Sequence, residues 1–468
     1  MSGRVELSPQ YIAQLIREEQ DVPVQVVAVD TLPTSAKNPV NKATFDTFLQ
    51  GTVYKASTLT QLQEQTDALV MRLQQANIVA AAVPIIETSR SSVSGAGENP
   101  LPVSLTLRYQ PKSHFTAKTG TNITNSGQGD AYLTFQKRGL LGLDETVTLD
   151  HRRDTGTNAG SNVSVLFPYV VPGNAYLSGK IDMFDAWKFL GVHDRGAAAN
   201  LHTCYTPKSG KWNHSVTLDC IERVFHNSAY ALPIKDTSTL VSEQLLVQEG
   251  KSLSSSLRWC ASRDARDSTI APATGHMVKV DTQISAAPET ATPKFIKASC
   301  ESNWVRSWLH NDFLTLSATG RAGYIHNLDP TRSYIHFADK FQSGGPNDVR
   351  SFAPMGLGPR SLGQPLGGDA MVAWGLSLFS RVPVGPMLNS GFRLHAFLNG
   401  GRLVNHNGMG LGDLARTLAQ EHSTSVGLGL VLRHPMARFE LNFAVPVTTH
   451  DGDMVRKGFQ FGLGFEFL

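Results

Sequence analysis

The nine residues before Leu468 alternate between two kinds of side chain, and this pattern constrains the fold more than any other feature of the chain. Because successive residues of a β-strand point to opposite faces, the segment has one apolar face and one polar or bare face. A strand of about 9 to 11 residues crosses a bilayer, so we expect a membrane strand that closes a sheet. The apolar set is Phe459, Phe461, Leu463, Phe465 and Phe467, and the other set is Gln460, Gly462, Gly464 and Glu466.

Further segments upstream follow the same alternation. In a soluble β-sandwich the apolar face would point inward and the charges outward, which alternation alone does not exclude. The many glycine and aromatic residues favour a membrane barrel instead. The segments are Val372–Arg381, Phe392–Asn399, Val426–Arg433 and Arg438–Val445.

Composition agrees with a membrane barrel. Charged residues make up 17% of the chain, below the roughly 25% of ordinary soluble domains. No stretch approaches the about 18 consecutive apolar residues of a membrane helix, so a chain of this kind must pair its backbone between strands and close the sheet. The net charge of +3, with no clustered basic face, gives no case for nucleic acid.

The amino-terminal segment, residues 1–22, carries no export signal that we recognise, and we assign it no role. It lacks an uninterrupted apolar core, so we expect no secretory signal peptide. Glu18, Glu19 and Asp21 also argue against a matrix-targeting presequence. A bacterial outer-membrane barrel would need a signal peptide, so the mitochondrial outer membrane is the expected location.

Residues 23–111 have helical spacing and soluble character. Thr58 is expected to cap the second of two helices, with Gln61 completing a capping box. The element order β-α-α-β-β predicts one small two-layer α+β domain. We expect strands at Val24–Val29, Val79–Ile86 and Val103–Tyr109, and helices near Thr44–Gln50 and from Thr58 onward.

A glycine-rich run with an arginine motif lies in the second half of the chain, and comprises Gly344, Gly345, Val349, Arg350, Ser351, Phe352, Gly358, Pro359 and Arg360. With the β-α-α-β-β unit and the carboxyl-terminal barrel, this run resembles the outer-membrane insertase superfamily. The soluble unit of that family is the POTRA (polypeptide-transport-associated) domain, and its sixth loop folds back into the barrel lumen. The family usually has glycine at the position of Ser351, so we expect the turn to be made otherwise or the loop tip to be reshaped.

The resemblance implies one POTRA domain at 23–111, a transmembrane β-barrel of about sixteen antiparallel strands at 112–468 and a sixth loop at about 341–368. One POTRA unit without a signal peptide most resembles the mitochondrial branch of the family, the central barrel subunits of the sorting and assembly machinery. In the resemblance Arg350 anchors the loop near the twelfth to fourteenth strands. Family members often have an acid there, whereas Asn399 is the nearest equivalent in this sequence. The alternative is an exposed loop arginine.

The carboxyl-terminal strand matches the mitochondrial β-signal, polar-x-Gly-x-x-hydrophobic-x-hydrophobic, through Gln460, Gly462, Phe465 and Phe467. Client barrels carry this signal, so we expect client strands to pair at a lateral gate between the first and last barrel strands. The first strand, about residues 114–124, is poor in large apolar residues. Its Lys118, Gly120 and Asn122 mark the expected gate, although an irregular first strand that merely bends into the preceding domain explains the same residues.

Three classes of function remain open: an insertase for β-barrel precursors, a passive diffusion pore, and a polypeptide-translocating channel. A pore needs neither a POTRA domain nor a lumen-filling loop, and a secretion channel usually has more POTRA units. No nucleophile and base stand at an interpretable spacing, so we expect neither an enzyme nor a cofactor. Cys204, Cys220, Cys260 and Cys300 are too far apart for a metal or redox motif. The partners that the resemblance implies are porin and import-channel precursors, two accessory subunits on the cytosolic side, intermembrane-space chaperones and membrane lipid.

Overall fold

The structure is a computed structural model in which two sheets account for most of the chain. No helix among the described residues is both long and apolar enough to cross a membrane. The described residues are 23–34, 40, 42–49, 53–75, 78–88, 100–123, 129–140, 145–154, 159–171, 175–189, 192–205, 212–227, 242–269, 271–286, 294–308, 312–328, 335–383, 390–406, 409–434 and 437–464.

The first sheet belongs to a small amino-terminal domain. Its three strands, β1 (Val24–Pro33), β2 (Val79–Thr88) and β3 (Leu101–Pro111), lie in the order β1-β3-β2. Helices α1 (Lys42–Leu49) and α2 (Leu59–Gln75) cover it, and their apolar faces share one core with the sheet. The N–H of Gln61 donates to the hydroxyl of Thr58 at 3.3 Å, which caps α2. Core residues from the helices and from β3 include Phe45, Leu62, Leu69, Leu105 and Leu107.

The second sheet has sixteen antiparallel strands in the order of the chain, so the predicted strand number is confirmed. A hairpin of β15 (Arg360–Ser361) and β16 (Gln364–Pro365) lies within the connection between β14 and β17. The strands are β4 (Phe115–Ile123), β5 (Gly129–Arg138), β6 (Thr146–Asp154), β7 (Ala159–Val171), β8 (Ala175–Phe189), β9 (Val192–Tyr205), β10 (Asn213–Asn227), β11 (Gly250–Asp264), β12 (Gly275–Ala286), β13 (Phe295–Trp308), β14 (Leu314–Asn327), β17 (Ala370–Arg381), β18 (Phe392–Val404), β19 (Ser423–His434), β20 (Ala437–Thr448) and β21 (Gly458–Gly464).

The two faces of this sheet have the reverse of the polarity of a soluble sandwich. On the outer face large apolar side chains are exposed, with Leu428 at 67% and Phe459 at 74%. On the inner face Glu440 and Asn442 are exposed by only 1% and 2%. Burial of polar groups and exposure of apolar ones contradicts a water-soluble core and suits a sheet whose outer face meets hydrocarbon.

The predicted closure of the barrel is not present. Within the described parts of the chain, β4 and β21 are the two end strands of the sheet and no ladder joins them. Each of the two strands therefore presents one edge without a partner strand in the sheet.

Antiparallel order places successive connections at alternate ends of the sheet. The chain leaves β3 and enters β4 almost at once, so the small domain lies at the end where β4 begins, which we call the domain end. The long connection 328–369, which we call the inner loop, starts from the opposite, far end. Helix α3 (Leu411–Gln420) and the connection 449–457 lie at the far end as well.

Candidate functional site

The inner loop lies against the inner face of the sheet and is anchored to strands far apart in the sheet order. Its first anchor is on β10. There a nitrogen of Arg223 lies 3.4 Å from a carboxylate oxygen of Asp339. The Nδ1 of His336 accepts from Ala338 N and lies 3.2 Å from Arg223 Nη1. Burial, helped by the charge of Arg223, lowers the pKa of His336 to about 4, so this anchor holds a neutral imidazole at neutral pH.

The second anchor is on β13 and β14. The Nζ of Lys297 donates to the carbonyl of Asp339 at 2.8 Å and lies 4.3 Å from the centre of the Phe341 ring. That ring lies over Gly323, where a Cβ would come within 2.4 Å of it. Glycine on this strand therefore makes room for the loop, and a larger residue would push the loop off the wall.

Arg350 forms the third and most enclosed anchor, together with an acid on β20. Its Nη2 donates to Glu440 Oε2 at 2.9 Å, and both side chains have no solvent exposure. Glu440 also pairs with Arg438 and accepts from Asn442 Nδ2 at 2.7 Å. Charge-assisted bonds between buried groups of this kind are strong and geometrically specific, so Arg350 is a wall anchor and not an exposed loop arginine.

Asn399 on β18 was the expected contact, and it lies beside Arg350 as a second partner. The hydroxyl of Ser425 donates to the Arg350 carbonyl at 2.6 Å, which uses its single proton. Asn399 must therefore present its amide nitrogen to Ser425, and in that orientation its oxygen accepts from Arg350 N and Nη1, both at 3.2 Å. The guanidinium also lies 4.7 Å from the centre of the Phe397 ring.

These contacts extend the sequence expectation in two respects. Arg350 contacts β18 and β19, the thirteenth and fourteenth strands of the sheet, which lie within the expected range, and it also contacts β20, the fifteenth strand. Its acidic partner is Glu440, which the motif did not reveal. The sequence did contain a signal that could have identified this acid. Among the four strands β17, β18, β19 and β20, Glu440 is the one acidic residue, and it alternates with the outward-facing apolar residues of β20.

Ser351 stands where the resemblance implied glycine, and it makes a turn of the kind that glycine favours. Its φ is 71°, so it adopts the left-handed conformation directly, and the expectation of a differently made turn was wrong. The cost for a side chain in this region is about 1 kcal/mol or more. Ser351 is completely buried, and the bonds on both sides of it hold the conformation in place.

After Ser351 the loop runs along the connection that leads into β21. The Ser351 carbonyl accepts from Arg456 N at 2.8 Å, and Ala353 N donates to the Met454 carbonyl at 2.8 Å. Ser351 N donates to the side-chain oxygen of Gln460 on β21 at 3.1 Å. The loop is therefore hydrogen-bonded to the last strand and to the chain immediately before it.

The other predicted loop residues support this path. Val349 and Phe352 are buried in one cluster with Leu357 of the same loop and Ala373 of the wall. Gly344, Gly345 and Gly358 have φ of 110°, 128° and 91°. Arg360 instead bonds within the loop, to the carbonyls of Met355 at 2.6 Å and Gly363 at 2.8 Å. Pro359 accepts through its carbonyl from Leu366 N at 3.0 Å.

The predicted gate residues are not brought together with the loop. Lys118 is exposed on β4, at the opposite end of the sheet order from β21. Gly120 and Asn122 lie on the same strand, with no side-chain placement described. Gln460 and Gly462 lie on β21 opposite Asn442 and Glu440. The predicted Phe465 and Phe467, like residues 1–22, lie outside the described residues.

Comparisons with known proteins agree on one family. A model of the Omp85 superfamily domain matches residues 114–467. The Saccharomyces cerevisiae sorting assembly machinery 50 kDa subunit is 37% identical over 95% of this chain and 94% of its own length. The Homo sapiens sorting and assembly machinery component 50 homolog is 29% identical over 99% and 94%. The crystal structure of BamA from Haemophilus ducreyi lacking POTRA domains 1–3 shares the fold, with a TM-score of 0.67 at 15% identity over 94% of this chain and 84% of that one.

Proposed function

Because this chain belongs to the Omp85 superfamily, we propose that it is an insertase that folds β-barrel precursors into the mitochondrial outer membrane. The relatives that match it over nearly their whole length are named as components of a sorting and assembly machinery. Its clients are then membrane β-barrels such as porins and import channels.

The observation that carries this proposal is the pair of sheet edges on β4 and β21 that no ladder joins in the described chain. In hydrocarbon each unpaired backbone group costs several kcal/mol. A client strand that pairs with β4 satisfies these groups in the same way as β21 would. We propose that the junction of β4 and β21, the seam, is the lateral gate, and that the client's β-signal strand pairs there.

The position of the inner loop favours the function of an insertase over that of a diffusion pore. It lies against inner-face residues from β10 to β21, so it occupies the space that a pore would keep open. It also bonds to β21 from the inner side. One edge of the proposed gate is thereby held in shape while the other edge, β4, is covalently continuous with the small domain.

The direction of insertion follows from the two ends of the sheet. We propose that the amino-terminal domain is a POTRA domain in the intermembrane space, where chaperones deliver precursors. The far end, with α3 and the connection 449–457, then faces the cytosol, where two accessory subunits bind.

Depletion of the protein from cells tests the function. Radiolabelled porin and import-channel precursors, imported into mitochondria from depleted cells, should accumulate without assembling, as measured on native gels. A matrix-targeted precursor provides the control and should be imported normally. Normal assembly of both barrels after depletion would favour the pore.

A further inference from the structure

A hydrogen bond at the domain end shows which backbone groups of β4 point away from β5. Arg138 N donates to the His114 carbonyl at 2.8 Å, and the two residues lie opposite each other in the continued register of these strands. Residues of an antiparallel pair alternate between those that exchange hydrogen bonds and those that do not. The even-numbered residues of β4 therefore bond to β5. The odd-numbered residues, whose side chains face outward like the 57% exposed Phe115, direct their N–H and C=O groups to the free edge.

The side chain of Ser113 occupies the first position along this edge. Its hydroxyl accepts from Phe115 N at 3.3 Å and donates to the Phe115 carbonyl at 2.6 Å. Phe115 is thus satisfied by its own neighbour, as expected for a residue whose backbone groups point away from β5. The edge that has no partner strand among the described residues then comprises the backbone groups of Ala117, Thr119, Thr121 and Ile123.

The same alternation, followed through the last strands, identifies the backbone groups at the free edge of β21. Arg433 N donates to the Gly391 carbonyl at 2.9 Å, so β19 bonds to β18 through the residues that share the inward parity of Val431. The outward-facing residues of β19 must then bond to β20, and the inward-facing residues of β20 must bond to β21. Glu440 accordingly lies opposite Gly462. The outward-facing residues of β21, whose backbone groups point to its free edge, are Phe459, Phe461 and Leu463.

We propose that a client strand binds at the gate through the N–H and C=O groups of its lipid-facing residues, the hydrophobic positions of the β-signal, and this proposal rests on the proposed function. Residues directly opposite each other in neighbouring strands face the same side of a sheet. Both free edges present backbone groups of outward-facing residues, so a client strand antiparallel to either edge bonds through its own outward-facing residues. A parallel strand would bond through its inward-facing residues instead, because each residue then bonds to the two neighbours of the residue opposite it.

The two sets of residues in a client strand therefore have different partners. The backbone groups of the polar and glycine positions point away from β4, toward the client's own preceding strand, just as those of Gly462 point toward β20. A client strand can pair with β4 and with its own neighbour at the same time, because the two ladders use different backbone groups. The hydrophobic side chains remain in lipid while the backbone groups of the same residues are satisfied by the gate.

N-methylated peptides test this assignment, because a methyl group on a backbone nitrogen removes one N–H and obstructs one edge of a strand. The probe is a fluorescent peptide with the sequence of residues 457–468, and the full-length protein is reconstituted in phosphatidylcholine nanodiscs. N-methylation at Phe459 or Phe461 should weaken binding about tenfold, which corresponds to about 1.4 kcal/mol. N-methylation at Gln460 or Gly462 is the matched control and should leave binding nearly unchanged. Empty nanodiscs measure partition of each peptide into lipid.

A complementary change on the protein removes one N–H from the edge of β4. Thr119→Pro lacks an N–H that we propose binds the client, and proline is tolerated at the edge of a sheet. Thr119→Val keeps this N–H and loses only the hydroxyl, which donates to the Tyr132 carbonyl at 3.1 Å. We expect the unmethylated peptide to bind about tenfold more weakly to the proline variant and equally well to the valine variant. Resistance to protease establishes that each variant is folded.

The outcomes separate this proposal from the function on which it rests. Equal losses from methylation at Phe461 and Gly462, or a greater loss at Gly462, would overturn the assignment and leave strand pairing at the gate intact. Equal binding of the peptide to folded Thr119→Pro and Thr119→Val would overturn it as well. If the proline variant does not fold, the methylated peptides decide the question on the unaltered protein. Failure of the unmethylated peptide to bind above the level of empty nanodiscs, or no effect of any methyl group, would overturn strand pairing itself.

Discussion

Arg350 of the inner loop and Glu440 of β20 form a completely buried ion pair at 2.9 Å, and the acid is shared with a second arginine, Arg438. Loss of the arginine and loss of the acid should therefore have different consequences. Loss of Arg350 leaves Glu440 paired with Arg438, whereas loss of Glu440 leaves two enclosed guanidinium groups without their acid. An uncompensated buried charge costs more than the pair itself contributes.

Glu440→Gln should destabilise the protein more than Arg350→Gln. We expect the acid variant to lose about 3 kcal/mol or more and to show a clear fall in the midpoint of urea unfolding in detergent. Arg350→Gln should remain folded but expose the inner loop to protease. It should also reduce assembled client barrels more than it reduces the abundance of the protein. Equal losses of stability in the two variants would contradict the shared acid.

Ser351→Gly should be tolerated, and Ser351→Val should not. The backbone at this position has φ of 71°, which glycine adopts freely and which a β-branched side chain adopts only with strain. We expect glycine to preserve client assembly and to change stability by less than about 1 kcal/mol. Valine should loosen the loop, detected as faster proteolysis within residues 341–368. Equal behaviour of the two variants would show that the turn does not depend on this conformation.

Gly427→Ala should disturb the Arg350 anchor through the ring of Phe397. A Cβ at Gly427 would lie 2.4 Å from the Phe397 ring, against which the guanidinium packs, and 2.4 Å from the Phe443 carbonyl. We expect a loss of about 1–3 kcal/mol. Gly320→Ala on β14 is the matched control, because no atom lies within 4 Å of its Cβ position. A similar loss at both positions would point to strand propensity instead of contact with Phe397.

The sequence predicts the strands of this protein better than their contacts. Alternation identified the exposed and buried faces of β18 and β20 because a period of two depends only on local geometry. The partner of Arg350 depends on how far the loop runs along the wall, which alternation does not encode. Ser351 differs for another reason, since a family pattern with glycine does not state whether serine can adopt the same φ. The open edges of β4 and β21 depend on a balance of long-range pairing that neither strand reveals alone.

The side chain of Gln460 should hold the last strand to the loop through both its amide oxygen and its amide nitrogen. The oxygen accepts from Ser351 N at 3.1 Å, and the nitrogen donates to the Arg456 carbonyl at 2.9 Å. Gln460→Glu keeps the acceptor and loses the donor, and Gln460→Leu loses both. We expect the inner loop to be cleaved faster in Gln460→Glu than in the wild type, and fastest in Gln460→Leu. Each hydrogen bond lost should lower the stability of the loop by about 1 kcal/mol. Leucine at the wild-type rate would exclude this link.

Two disulfides, compared in one cysteine-free background, should separate the movement of the loop from the opening of the seam. Ala353→Cys with Met454→Cys joins the loop to the connection before β21, where Ala353 N already donates to the Met454 carbonyl. Thr119→Cys on β4, tested with Phe459→Cys, Phe461→Cys or Leu463→Cys, joins the two sides of the seam. We expect the loop disulfide to permit insertion of porin precursors, because the loop and β21 are bonded to each other and move together. The seam disulfide should block insertion until a reductant is added. Insertion through an oxidised seam would refute the gate, whereas a block by the loop disulfide alone would show that the loop must leave β21 for a client to enter.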